Sequence, residues 1–90
     1  STTFKLIGTG AIEIQDNLLY CSEDDEVEFN FDYDRDCYVV ETPDLIGYAP
    51  KNKNEIIKNA NKYYAFISSI DEKEDKYTVS VTMKYEWNKI

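Results

Sequence analysis

The chain has no histidine and only two cysteines, Cys21 and Cys37, in its 90 residues. Without histidine, the usual general base for a serine or cysteine nucleophile at neutral pH is missing. Without a CxxC pair, neither a zinc site nor a dithiol redox motif can be assembled by spacing. The two cysteines therefore read as free, partly buried thiols, with a disulfide between them as the alternative. No apolar run approaches the roughly 18 residues that span a bilayer. The opening STTFKLIGTGAIEIQ lacks the basic-then-apolar layout of a secretory leader, so the expectation is a cytoplasmic protein with no membrane partner and no cofactor. Basic residues are scarce where acids are dense. Residues 1 to 36 carry ten acids against Lys5 and Arg35, a balance of −8, whereas residues 37 to 90 carry eight acids against eight lysines.

What is present argues for a folded domain. The chain is 42% hydrophobic and 14% aromatic, with eight tyrosines, well above an acidic disordered tail. Ninety residues bury one modest core, so a single domain over 1–90 is expected.

Period-two hydrophobicity dominates. Val27, Phe29, Phe31 and Tyr33 alternate with Glu26, Glu28, Asn30 and Asp32, and Tyr77, Val79, Val81, Met83 and Tyr85 alternate with Thr78, Ser80, Thr82 and Lys84. Both are strands with one buried and one wet face. Shorter strands are expected at Phe4–Ile7, Ala11–Ile14, Leu18–Cys21, Tyr38–Thr42, Leu45–Tyr48 and Ala65–Ile70. DEKEDK reads as a solvated hairpin loop between the last two strands. One helix is expected from about Lys53 to Lys62: Pro50 stops the preceding strand, Asn52 caps, Glu55 completes a capping box, and Ile56, Ile57 and Ala60 form the buried stripe. The expected architecture is mainly β with one helix, a small curled sheet or barrel.

FDYDRDCYVV, residues 31 to 40, raises the functional question. Taken as a calcium loop, Asp32, Asp34 and Asp36 would occupy positions 1, 3 and 5. Position 6 is then Cys37 instead of glycine, and position 12 is Pro43 instead of glutamate, which excludes an EF-hand. A weak non-standard cation site stays open. A carboxylate pair for acid–base chemistry needs a pocket that raises one pKa, and the alternation puts Asp32 on the wet face. The structural alternative is a solvated turn in which Asp34 or Asp36 accepts backbone N–H bonds. By alternation alone, Tyr33 reads as a half-buried aromatic closing the barrel, with a free stacking platform as the other reading. SEDDEVE is either a loop and strand edge kept soluble by charge or an acidic patch that imitates nucleic acid.

Two segments carry a resemblance. VEFNFDYDRDCYVV, followed by LIGYAPKNKNEIIK, resembles the HIRAN domain family. That family places a strand before a Tyr-Asp turn, then a second strand, an apolar-Gly-Tyr-apolar-Pro segment and a helix. The similarity runs over about Asp25 to Met83 and continues through YYAFISSIDEKEDKYTVSVTM. The chain departs from the family at Phe31, where asparagine is usual, and in IGTGAIEIQ, which lacks an arginine and an aromatic.

The resemblance implies a modified OB-like barrel and a non-catalytic module that binds single-stranded DNA or a 3′-hydroxyl DNA end, in a repair or replication context. A helicase or nuclease would be the associated protein. It assigns base stacking to Tyr33, a hydrogen bond from the terminal hydroxyl to Asp34, and a basic contact to Lys51; Lys53 and Lys58 are added as phosphate neighbours on the helix. The alternative is a protein-interaction module whose acidic N-terminal half docks on a basic partner.

Overall fold

A computed structural model describes residues 1–87; the last three residues of the expected 1–90 domain lie outside the described residues. Two antiparallel three-stranded sheets carry the fold. The first pairs β1 (Thr2–Lys5), β6 (Lys76–Trp87) and β5 (Ala60–Lys73) in the order β1-β6-β5. The second places β2 (Glu28–Asp32), β3 (Cys37–Glu41) and β4 (Leu45–Tyr48) in sequence order.

The long alternating segments become strands as their periodicity predicts. Val79, Val81 and Met83 of β6 face inward and are buried, as are Ala65 and Ile67 of β5. The β5–β6 hairpin closes on Glu74 and Asp75, both at positive φ (53° and 64°), between the paired Lys73 and Lys76. Two successive left-handed residues match the right-handed twist of the flanking strands, and the short polar side chain of Asp75 tolerates that conformation. β3 returns into β4 through Thr42, Pro43 and Asp44, after a register shift between Val40 and Glu41.

Two helices form where one was expected. The segments Ala11–Ile14 and Leu18–Cys21, read as strands, instead belong to α1 (Ile12–Leu18) and the turn that follows it. The reason is long-range. Ile14 and Leu18, four residues apart, share the face that is buried over the core. Between them, Gln15 acts like a short piece of strand. Its Nε2 donates to Tyr77 O at 2.9 Å and Thr9 O at 2.6 Å, while its Oε1 accepts from Tyr77 N at 2.8 Å. Asn17 Nδ2 donates to Leu45 O at 2.8 Å, tying the helix to β4.

The expected helix is also shorter than its pattern. Lys51–Lys53 form one 3₁₀ turn, α2 spans Asn54–Asn59, and Lys53 stands at the N-cap in place of Asn52. Ala60 and Lys62 are already in β5, paired with Trp87 and Glu86. Sheet pairing therefore takes the last residues of the predicted helix.

The strands do not form a closed barrel among the described residues. The two sheets meet at isolated bridges, Ile7 with Tyr48 on one side and Glu26 with Phe66 on the other. Leu6, Val27, Val40, Ile46, Ile67, Val81 and Met83 are almost completely enclosed between them. Gly47 sits at the first seam with φ +153°, and a Cβ there would lie 3.0 Å from Leu6 Cβ and 3.1 Å from Thr9 Cγ2. Close approach of the segment after β1 to β4 thus depends on the absent side chain. Both cysteines are free thiols, Cys37 buried and Cys21 half-buried. No helix among the described residues is long and apolar enough to cross a membrane.

Candidate functional site

The β2–β3 hairpin positions the candidate site because its inner face outruns the core. Phe29 lies opposite Val40 and Phe31 opposite Tyr38, all on one face by strand alternation. Phe29 is buried at 8% exposure, Phe31 is half-buried, and Tyr33, beyond the last pair, is 88% exposed. Tyr33 is therefore not the barrel-closing side chain that the alternation suggests. The alternation remains, but the opposite wall ends before it reaches Tyr33.

The exposed ring is held by its neighbours. The Phe31 and Tyr33 centroids are 4.9 Å apart at an interplanar angle of 76°, and Phe31 meets Tyr38 at 5.1 Å and 74°. These edge-to-face pairs direct the positive ring edge at the negative face of the next ring. The three rings line one wall of an open groove of about 510 Å³, and Asn54, Glu55, Lys58 and Asn59 of α2 line the other. Burial pushes the Tyr38 phenol above its ordinary value, with further upward contributions from the Tyr33 and Tyr63 phenolates.

Asp32 organises the turn. Its Oδ1 accepts from Asp34 N at 2.9 Å and Arg35 N at 3.2 Å, and its Oδ2 lies 3.5 Å from Arg35 Nε. The backbone bond from Asp36 N to Asp32 O, 2.8 Å, closes the loop, with Asp36 at φ +55°. The sequence reading assigned the accepting role to Asp34 or Asp36. Asp32 takes it because a carboxylate at the start of a turn reaches the N–H groups two and three residues ahead. Asn54 Nδ2 donates to Asp36 O at 2.9 Å, so the first residue of α2 holds the turn against the helix.

The five residues singled out by sequence are divided among different places. Tyr33 and Lys58 line the aromatic groove together. Lys51 lies in a second groove of about 330 Å³ with Ile7, Gly8, Arg35, Cys37 and Tyr48. There the Arg35 guanidinium stands 4.4 Å from the Tyr48 ring centroid. Asp34 is exposed in the turn and lines neither groove. Lys53 is committed elsewhere: its Nζ donates to Thr2 Oγ1 at 2.9 Å and lies 6.0 Å from the Phe4 ring centroid. The 3₁₀ turn before α2 separates the lysines, since three-residue and 3.6-residue periods send side chains in different directions.

Phe31, Tyr38, Arg35 and Asn54 join the site without having been singled out. The first two carry a signal in the alternation, but it reads as core. Arg35 stands in FDYDRDCYVV, yet its stacking on Tyr48 needs β4 alongside β3.

Charge is unevenly arranged around these features. The aromatic groove carries Asp36 and Glu55 against Lys58, and the second groove carries Arg35 and Lys51. A third recess of about 300 Å³ is lined by Glu26, Glu28, Glu41, Thr42 and Pro43, with Glu28 directly across the ladder from Glu41. Arg35 with Asp32 is the one ion pair among the described residues. No group of three or more Cys, Asp or Glu side chains among the described residues is arranged to hold a metal ion. The chain matches no family model, no curated protein and no solved structure.

Proposed function

We propose that the chain is a cytoplasmic, non-catalytic module of HIRAN type, an open variant of the OB-like architecture, that binds single-stranded DNA or a 3′-hydroxyl DNA end. The observation that carries this reading is the exposed Tyr33 ring, held edge-on by Phe31 at the mouth of a groove whose far wall bears Lys58. A base stacks on such a ring irrespective of its identity and contributes about 1–3 kcal/mol. Lys58 supplies a salt-sensitive phosphate contact, and Lys51 with Arg35 offers a second cationic stop beyond the turn. Asp34, exposed in that turn, suits a hydroxyl donor and repels an internal phosphate, which favours a chain end over a continuous strand. A helicase or nuclease in repair or replication is the partner this role calls for.

Fluorescence anisotropy with a short labelled oligonucleotide tests the reading, comparing a free 3′-hydroxyl with a 3′-phosphate at low and moderate salt. Preference for the hydroxyl that disappears in Asp34→Ala is the expected outcome. Equal affinity for both ends rejects end recognition, and no binding at low salt rejects the nucleic-acid function.

A second reading, a protein-interaction module for a basic partner, is favoured by a different observation. Between Lys5 and Arg35 the chain carries nine acids and no lysine or arginine. A surface of one sign steers an oppositely charged partner and disfavours nucleic acid on that side.

A further inference from the structure

Helix α1 has two unlike faces. Ile14 and Leu18 are buried, and past Leu18 the chain tightens into a turn bonded three residues back, with Leu19 N donating to Asp16 O and Tyr20 N to Asn17 O. Ile12, Asp16 and Leu19, at relative positions 0, 4 and 7, share the opposite face, with Tyr20 next in the tightened turn. Ile12 is 81% exposed, Leu19 60% and Tyr20 88%. At a rise of about 1.5 Å per residue, Ile12 and Leu19 stand roughly 10 Å apart along the axis with Asp16 between them.

Acids accompany this apolar stripe in the helix and the turn after it. Glu13 flanks it on the helix, and Glu23 and Asp24 are exposed in the turn that follows Tyr20. Lys76 of β6 approaches the N-terminal end, its Nζ 3.8 Å from the Cβ position at Gly10. Charge alone explains solubility but not three large apolar side chains exposed on α1 and the turn that ends it. Their spacing suits a partner that presents its own apolar side chains two turns apart. The acids select the rest of that partner: a second copy of this chain, a nucleic acid and an anionic bilayer are all repelled.

We infer that the outer face of α1 docks a basic amphipathic helical segment of another protein, two apolar side chains seating against Ile12 and against Leu19 with Tyr20, and a lysine or arginine between them meeting Asp16. This rests on the protein-interaction reading and assigns it a surface.

The test is a titration of ¹⁵N-labelled protein, followed by amide chemical shifts, with three synthetic helical peptides. One has leucine at positions i and i+7 with lysine at i+3 and i+4. A second has the same composition with the leucines dispersed around the helix, and a third replaces lysine by glutamate. The first peptide is expected to shift the amides of residues 12 to 20 and to bind about tenfold or more tightly than the other two. Ile12→Ser and Tyr20→Ser each weaken it about tenfold, and Asp16→Lys transfers preference to the glutamate peptide. These side chains are exposed, so the variants keep the wild-type circular dichroism. If both lysine peptides bind equally, with shifts centred on Glu26, Glu28 and Glu41, the α1 assignment fails while the broader protein-interaction reading stands. Absence of shifts with any peptide overturns both.

Discussion

Replacing Tyr33 by alanine separates the proposed single-stranded DNA binding from folding. The side chain is 88% exposed, so little apolar surface returns to water on truncation. Its main packing partner is Phe31, at 4.9 Å and 76°, and an edge-to-face pair contributes about 0.5–1.5 kcal/mol. The folding cost of Tyr33→Ala is therefore below about 1.5 kcal/mol, a fall in Tm of no more than about 12 °C for a domain of this size. Binding should suffer more. Loss of one stacked base costs about 1–3 kcal/mol, which raises the Kd for a short single-stranded oligonucleotide roughly 5- to 150-fold.

Phe29→Ala supplies the contrast two residues earlier on the same face. Phe29 is buried at 8% exposure, with ring centroids 6.2 Å from Phe4 and 5.5 Å from Tyr63. Its truncation is expected to cost about 3–5 kcal/mol, a large part of the stability of a small domain. Thermal denaturation followed by circular dichroism, run beside anisotropy on the same preparations, gives both quantities. The reasoning is refuted if Tyr33→Ala destabilises as much as Phe29→Ala, or if it leaves oligonucleotide affinity unchanged while the protein binds.

Three further outcomes follow from the packing. Gly47→Ala forces a Cβ into the seam between β4 and the segment after β1 at positive φ and should lower stability by about 2–4 kcal/mol in urea denaturation; a change under about 0.5 kcal/mol contradicts the seam geometry. Gln15→Ala removes three bonds to Thr9 and Tyr77 and should cost about 2–3 kcal/mol, with faster amide exchange at Tyr77 as the local readout. For Cys21, burial first and then the Asp25 and Asp44 carboxylates raise the thiol above its ordinary value of 9.0. The folded state therefore holds that proton more tightly than the unfolded chain, so the stabilising contribution is full below pH 9 and is lost as pH rises above it. Tm measured from pH 8 upward should fall more steeply in the wild type than in Cys21→Ser, and equal slopes would exclude the effect.

Much of the β framework was legible because its causes are local. The alternations through Val27–Tyr33 and Tyr77–Tyr85 select strands by period, and the polar DEKEDK connection selects a hairpin by its turn residues. Pro50 likewise marks the end of β4 through its own chemistry. The candidate site was less legible. Tyr33 belongs to an alternation that continues one residue past its supporting wall, so its pattern says core while its position says solvent. The lysines after Pro50 form a compact basic run in sequence, yet Lys51, Lys53 and Lys58 reach different surroundings because a 3₁₀ turn intervenes.

The sequence by itself determined that the chain is mainly β, with its acids concentrated before residue 37 and its two principal hairpins located, since periodicity, charge and turn chemistry act over a few residues. DEKEDK, read as a loop, holds a two-residue turn, and its other four residues pair in β5 and β6. Tertiary structure alone decided that Ile12–Leu18 is a helix, because the Gln15 amide finds its partners on Tyr77, 62 residues away. It also decided where the sheets meet, at Ile7 with Tyr48 and at Asp24–Val27 against Ala65–Ile67. A seam depends on where two edges arrive together, and no pattern within one strand records where the other edge will be.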